Sequence, residues 1–260
     1  MGKKIAIYGA GTIGACQATL TSGNGYSTVV IGHSEEGLSR CRNTMLQNWN
    51  DLIAQKLATA ANRRAAMDLV TITNDVSALR DCDIVFEAVS EDVNIKQRVY
   101  SIITEVCGRD IIVVSTTSSI DAAILAEKIE NPARFLIAHP FQPVHMLPLV
   151  EVVRHTETSE ETLNQVCTLL KDLNRQVVML NRSVPGFLVN RFAQALFRES
   201  IYLIEQGITT AADIDRAIKY AVGMRYASIG LLEYYDAVGF ELERAIALNV
   251  YCLLYTSPSP

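Results

Sequence analysis

The chain has 260 residues, 49% of them hydrophobic and 20% charged, with a net charge of −5 and an isoelectric point near 5.4. That length holds one large domain or two ordinary ones with ample core, and the balance excludes a disordered chain. The acidic charge argues against a nucleic-acid partner, which needs a basic face, and no apolar run approaches the roughly 20 residues that span a bilayer.

Met1-Gly2-Lys3-Lys4 leads straight into Ile5-Ala6-Ile7-Tyr8, a buried-strand pattern, so a cleaved signal peptide is not expected. A helix follows over 12–22, then a strand at Thr28–Ile31, one long helical stretch over about 35–66, and a strand at Val70–Ile72. Strands at Ile84–Phe86, Ile111–Val114 and Phe135–Ala138 alternate with helices near 93–106 and 120–128. Val/Ile runs without polar alternation fit strands covered on both faces, and strand–helix alternation of this kind gives a doubly wound α/β (Rossmann) sheet. Leu149–Val153 and Val177–Leu180 read as two more strands around an amphipathic helix at 159–173. Beyond Ser183-Val184-Pro185-Gly186 the pattern turns helical, with a cap at Thr209/Thr210. The expected architecture is therefore a dinucleotide-binding domain over 1–183 and a smaller all-helical domain over 184–260. The tail from Cys252 to Pro260 departs from the helical pattern, because Pro258 and Pro260 cannot continue a helix. The chain is expected to be truncated there, or its last residues to be foreign to it.

The six cysteines (Cys16, Cys41, Cys82, Cys107, Cys167, Cys252) form no C-x-x-C pair and have no partnering histidine. They are expected to be reduced and mostly buried, in a cytosolic protein, with no metal site.

Gly9-Ala10-Gly11-Thr12-Ile13-Gly14 directly follows the first strand and opens the first helix. In that context the first glycine makes a tight turn, the second admits a pyrophosphate close to the backbone, and the third lets helix and strand pack closely. The helix N-terminus, from Thr12 and Ile13 onward, offers free N–H groups to the phosphates. An acidic residue is expected at the end of the second strand to hold a ribose 2′-hydroxyl, but Gly32 stands there, and Glu35 and Glu36 come too late. His33, Ser34 and Arg40 could instead donate to a 2′-phosphate. The choice between NAD and NADP stays open at this point.

Oxidation of a secondary alcohol needs a base for the hydroxyl proton. His139 ends a strand at the carboxyl edge of the sheet, where open α/β folds bind ligands, and an imidazole exchanges protons near neutral pH. Glu151, on the adjacent strand, could fix its tautomer. The bland alternatives are a core-lining histidine and a surface acid. Of the other three histidines, His33 lies in the cofactor loop, His145 follows Pro143-Val144, and His155 sits in a charged loop.

Four segments occur in order: Phe86-Glu87-Ala88-Val89-Ser90-Glu91 running to Lys96, Ser115-Thr116-Thr117-Ser118-Ser119, His139-Pro140-Phe141-Gln142-Pro143 running to Glu151, and Val184-Pro185-Gly186-Phe187-Leu188-Val189-Asn190-Arg191. This pattern resembles the L-3-hydroxyacyl-CoA dehydrogenase family over residues 3–250. The resemblance implies oxidation of a 3-hydroxyacyl-CoA to the 3-oxoacyl-CoA, with His139 and Glu151 as the catalytic pair. It further implies Ser118 at the reacting oxygen, Asn190 closing the site, and Glu91 and Lys96 along the cofactor. Without the resemblance, Ser118 could simply cap the helix near Asp121 and Lys96 could be solvated. The family usually has His-Phe-Phe-Asn-Pro where this chain has His-Pro-Phe-Gln-Pro, so Gln142 keeps an amide for the nicotinamide or substrate on a longer arm. The His-Pro form, with Gly223 to Gly230 and Glu233, resembles the lambda-crystallin and gulonate or carnitine dehydrogenase branch, which acts on small free 3-hydroxy acids. Arg225 could then pair with a substrate carboxylate. A relative that keeps the fold without turnover is the third reading. The family's helical domain runs further than this chain and implies a homodimer in the full-length protein, in the cytoplasm.

Overall fold

A computed structural model describes the backbone of residues 3–256 and the side chains of residues 3–250. Contacts divide the chain into two units, Met1–Leu188 and Val189–Pro260.

The first unit holds strands β1 (Lys4–Tyr8), β2 (Ser27–Ile31), β3 (Val70–Thr73), β4 (Ile84–Glu87), β5 (Ile112–Ser115), β6 (Phe135–Pro140), β7 (Leu149–Arg154) and β8 (Gln176–Leu180). Its helices are α1 (Thr12–Gly23), α2 (Glu35–Ala54), α3 (Ala60–Asp68), α4 (Val93–Cys107), α5 (Ala122–Ala126) and α6 (Glu160–Asp172). The strands form one sheet in the order β3-β2-β1-β4-β5-β6-β7-β8. All neighbours run parallel except β6 and β7, which are antiparallel. The order reverses between β1 and β4, the switch point at which dinucleotide folds open a crevice.

Alternation along each strand supplies a core to both faces. Ile5, Ile7, Phe86, Val114 and Val152 pack with Ala15, Ala18, Met45 and Val166 on one side. Ala6, Val85, Val113 and Ile137 pack with Tyr100, Ile103 and Leu125 on the other. Each fully buried aliphatic side chain contributes about 1.5–3 kcal/mol, so the near-continuous Val/Ile runs are what make a two-faced sheet stable.

The single helix expected over 35–66 is two. Gln55 closes α2, Lys56 turns into the left-handed region at φ 62°, and α3 restarts at a capping box. In that box the Thr59 hydroxyl accepts from Asn62 N–H while the Asn62 side chain accepts from Thr59 N–H. Helical periodicity runs through the break, and only the Thr59–Asn62 spacing betrays it.

The second unit contains α7 (Val189–Glu205), α8 (Ala211–Ala217), α9 (Gly223–Ser228), α10 (Leu231–Val238) and α11 (Phe240–Thr256), with a π turn at Ile218–Val222. Thr210 caps α8 by accepting from Asp213 N–H. No strand occurs among its described residues. Large apolar side chains stay exposed here, among them Phe192, Phe197, Leu232, Phe240 and Leu248. Contrary to the expected departure at Cys252, helix α11 continues to Thr256. Pro258 and Pro260 lie outside the described residues. Of the cysteines, Cys16, Cys41 and Cys82 are buried, Cys107 and Cys167 are partly so, and all five are free. The Cys252 side chain lies outside the description. Among the described residues no helix is long and apolar enough to cross a membrane, and no cluster of potential metal ligands occurs.

Candidate active site

At the switch point the three glycines have three different physical reasons. Gly9 sits at φ 133°, and a Cβ there would lie 2.3 Å from the carbonyl oxygen of Ala88. A Cβ on Gly14 would lie 1.8 Å from the carbonyl oxygen of Gly9, so helix and turn touch backbone to backbone. A Cβ on Gly11 would meet nothing within 4 Å. Gly11 is the N-cap of α1 and brings no side-chain acceptor to the helix end. The first N–H groups of α1, at Thr12, Ile13 and Gly14, therefore remain for an anion. Crowding below the turn and open space above it fit a dinucleotide pyrophosphate.

Gly32 is closed to an acid for a steric reason. A Cβ there would lie 2.6 Å from Leu38 Cδ2 and 2.8 Å from Ala10 Cβ. The donors offered to a 2′-phosphate are placed less favourably than the sequence allowed. His33 is exposed, and the Ser34 hydroxyl caps α2 by accepting from Gly37 N–H at 3.2 Å. Arg40 is paired with Glu36, and Glu35 and Glu36 put two negative charges on the same helix turn.

Beside the turn, β4 ends in Glu87, fully buried. Its Oε1 accepts from Lys96 Nζ at 2.8 Å and from Val89 N–H at 2.9 Å, and its Oε2 accepts from Tyr100 and Ser115 hydroxyls at 2.8 Å each. Lys96, 1% exposed, also reaches Glu91 Oε2 at 3.3 Å. Glu91 Oε1 gathers Thr117 Oγ1 at 2.6 Å, Ser118 N–H at 2.9 Å, and both the N–H and the hydroxyl of Ser119. Burial pushes the Glu91 carboxyl up, but the hydrogen bonds from Thr117, Ser118 and Ser119 together with the Lys96 charge outweigh it and hold it below the usual range. Burial and the Glu87 charge push the Tyr100 phenol far above its ordinary value, so it stays a donor.

Across the antiparallel pair, His139 on β6 stands directly opposite Glu151 on β7. His139 Nδ1 and Glu151 Oε2 are 2.8 Å apart, and both residues are buried. A carboxylate can only accept, so Nδ1 carries a proton toward Glu151, and in the neutral imidazole the lone pair is on Nε2. Glu151 Oε1 accepts from Leu188 N–H at 2.9 Å, which holds the carboxylate from its other side. The imidazole is wedged between Phe141, edge-on with ring centroids 4.7 Å apart, and Phe187 at 5.6 Å. Phe187 is buried and adopts φ 46°, a conformation that a bulky residue rarely takes, immediately after Gly186 at φ 76°.

The sequence-predicted residues thus separate into groups. His139 and Glu151 come together, as do Glu91, Lys96 and the Ser118 backbone. Lys96 is buried rather than solvated, and the cap of α5 is Asp121, which accepts from Ala123 N–H, rather than Ser118. Ser118 is exposed. Gln142 is exposed in the β6–β7 connection, before a cis bond to Pro143. Asn190 is the second residue of α7 and belongs to the other unit. Sequence reasoning missed Glu87, Phe141 and Phe187. Glu87 had a signal: a carboxylate closing an apolar strand run must find a cation, and Lys96 lies on the next helix.

A glycine turn at the switch point with a carboxylate-bound histidine at the same edge defines a nicotinamide-dependent oxidoreductase. Residues 4–183 match the NAD binding domain of 3-hydroxyacyl-CoA dehydrogenase and residues 186–257 its C-terminal domain. The chain belongs to the 3-hydroxyacyl-CoA dehydrogenase family, and its cofactor is NAD. It is 32% identical to the L-carnitine dehydrogenase of Bacillus cereus over 88% of this chain and 69% of that protein. It is 30% identical to the 3-hydroxybutyryl-CoA dehydrogenase of Clostridioides difficile over 97% of this chain and 87% of that protein. Among solved structures, 5-formyl-3-hydroxy-2-methylpyridine 4-carboxylic acid 5-dehydrogenase, described as an NAD+ dependent dismutase, superposes with a TM-score of 0.91 at 29% identity, covering 100% of this chain and 84% of that one. The (S)-3-hydroxybutyryl-CoA dehydrogenase of Ralstonia eutropha superposes with a TM-score of 0.80 at 28% identity, covering 85% and 78%.

Proposed function

We propose that this protein oxidises a 3-hydroxyacyl-CoA to the 3-oxoacyl-CoA, and that the His139–Glu151 pair carries the proton transfer. The observation behind this reading is the 2.8 Å contact at the carboxyl edge of the sheet, which fixes the imidazole with Nε2 as its basic atom. Bound NAD supplies the hydride acceptor. His139 Nε2 takes the hydroxyl proton as the carbinol C–H bond breaks and the C=O bond forms, and Glu151 steadies the imidazolium. Ser118 binds the reacting oxygen, and Asn190 binds substrate. Gly9, Gly11, Thr12, Ile13 and Gly14 hold the pyrophosphate, Glu91 and Lys96 lie along the cofactor, His33 and Ser34 flank the adenosine ribose, and Gln142 reaches the nicotinamide or substrate. In this division of labour, residues 1–183 bind the dinucleotide and residues 184–260 bind substrate and a second copy of the chain. The exposed apolar residues of the second unit support such a homodimer. The acidic composition and the acyl-CoA chemistry fit fatty acid metabolism in the cytoplasm.

A second reading, the same chemistry on a small free 3-hydroxy acid, has its own support. The Arg225 guanidinium lies over the Tyr234 ring, 4.3 Å from the centroid, and a guanidinium stacked on a ring can still pair with a carboxylate through its edge. The likeness to L-carnitine dehydrogenases favours it too. A steady-state panel of acetoacetyl-CoA, 3-hydroxybutyryl-CoA, gulonate and carnitine, with NAD(H) and NADP(H), separates the two. Higher kcat/KM on the CoA esters supports the first reading, and the reverse replaces it with the second.

A further inference from the structure

We propose that Glu87 is a positioning residue for the cofactor, acting through Lys96 and the Val89 N–H, a role that rests on Glu91 and Lys96 lying along the dinucleotide.

Glu87 uses its two oxygens in different directions. Oε2 faces inward to Tyr100 and Ser115, both fully buried. Oε1 faces the crevice elements. It accepts from Val89 N–H at 2.9 Å, and the Ala88–Val89 peptide is the one that Gly9 rests on, with Ala88 O and Val89 N 2.3 and 3.0 Å from where a Gly9 Cβ would be. The same oxygen takes Lys96 Nζ at 2.8 Å, and Lys96 bridges on to Glu91 at 3.3 Å. Glu91 in turn fixes Thr117, Ser118 and Ser119. One buried oxygen therefore sets the floor of the glycine turn, the site of the Lys96 charge and, through Glu91, the backbone of the loop that carries Ser118. A buried carboxylate needed only for the fold would be satisfied by the inward pair and one cation. The further link from Lys96 to a carboxylate 41% exposed takes the network out to the protein surface.

The test compares variants that cut the two oxygens separately. Tyr100→Phe removes a partner of Oε2 and leaves the Oε1 contacts in place. It is expected to lower the thermal midpoint while leaving the NADH dissociation constant, read by fluorescence titration, and the KM for NAD within about twofold of the unaltered protein. Glu87→Gln keeps the shape and removes the charge that holds Lys96. It is expected to weaken NADH roughly ten- to hundredfold, the worth of one hydrogen bond to a charged group, with a larger change in KM for NAD than in kcat. Glu87→Asp, which keeps the charge but draws it back from Val89 N–H, gives the same sign if Glu87→Gln does not fold. Unchanged NADH affinity in the folded Glu87 variants overturns the proposal. So does an equal loss of affinity in Tyr100→Phe at a matched thermal midpoint, which makes the network purely structural. Failure of the unaltered protein to bind NADH instead removes the cofactor reading on which the proposal rests.

Discussion

Two buried acid–base pairs stand at the carboxyl edge of one sheet, and they differ in what each leaves unused. At β4, Glu87 faces Lys96 at 2.8 Å; at the β6–β7 pair, Glu151 faces His139 at the same distance. Glu87 takes a donor at every quarter, and Lys96 has two carboxylates about one ammonium. That pair is saturated and holds its charges fixed. His139 spends one nitrogen on Glu151 and keeps the other. A buried salt bridge by itself marks no chemistry; an unspent atom on a group able to cycle its proton does.

The sharpest way to break this comparison is His139→Ala. We expect kcat to fall roughly 10²- to 10⁴-fold, the usual share of general base catalysis, with NADH affinity unchanged by titration. Full rate would move the chemistry elsewhere. Glu151→Gln comes next. It frees Nδ1 from its carboxylate, and kcat is expected to fall about 10²-fold, the lower end of that range. An unchanged pH–rate profile would show that Glu151 does not orient the imidazole.

The cofactor half is tested by two glycines with opposite surroundings. Gly14→Ala places a methyl 1.8 Å from backbone, and we expect a loss of about 3 kcal/mol or more in denaturant unfolding. Gly11→Ala meets open space, so stability should hold within about 0.5 kcal/mol while NADH binds roughly tenfold more weakly. Equal stability of the two variants would contradict the turn geometry.

The smallest effect concerns His145, the histidine in the same connection that has no carboxylate partner. Burial, only partly offset by Asp51 and reinforced by Arg175, lowers its pKa, and both ring nitrogens are buried without a hydrogen bond within the protein. The unfolded chain then binds the proton more readily than the folded one. Stability is fully present above the ordinary histidine pKa, near 6.5, and declines as pH falls through the folded value. His145→Leu should flatten the unfolding free energy below about pH 6.5, measured against pH in denaturant.

Much of this was legible in the residues themselves. Val/Ile runs gave the strands, the glycine spacing gave the turn, and the twelve-position step from His139 to Glu151 placed them on neighbouring strands. Strand direction was not legible, because an apolar run such as Leu149 to Val153 reads alike either way. The break at Lys56 was hidden because helical periodicity continues across it. Glu87 went unremarked because period and propensity score a charged strand end as a boundary, whereas its role comes from Lys96 and Tyr100, nine and thirteen residues on, folding back over it.

The reversal at β7 has a consequence for chain entropy. Since β7 returns beside β6 without a crossover helix, His139 and Glu151 meet across a loop closure of twelve residues. The cofactor half instead joins β1 to β4 over 79 residues, as in the Lys4 N–H to Asp83 contact. Closure cost grows only slowly with length, but long-range contacts must wait for the chain between them to order. The acid–base pair is thus joined by a short closure within one strand reversal, whereas the crevice beside β1 joins segments far apart in the chain.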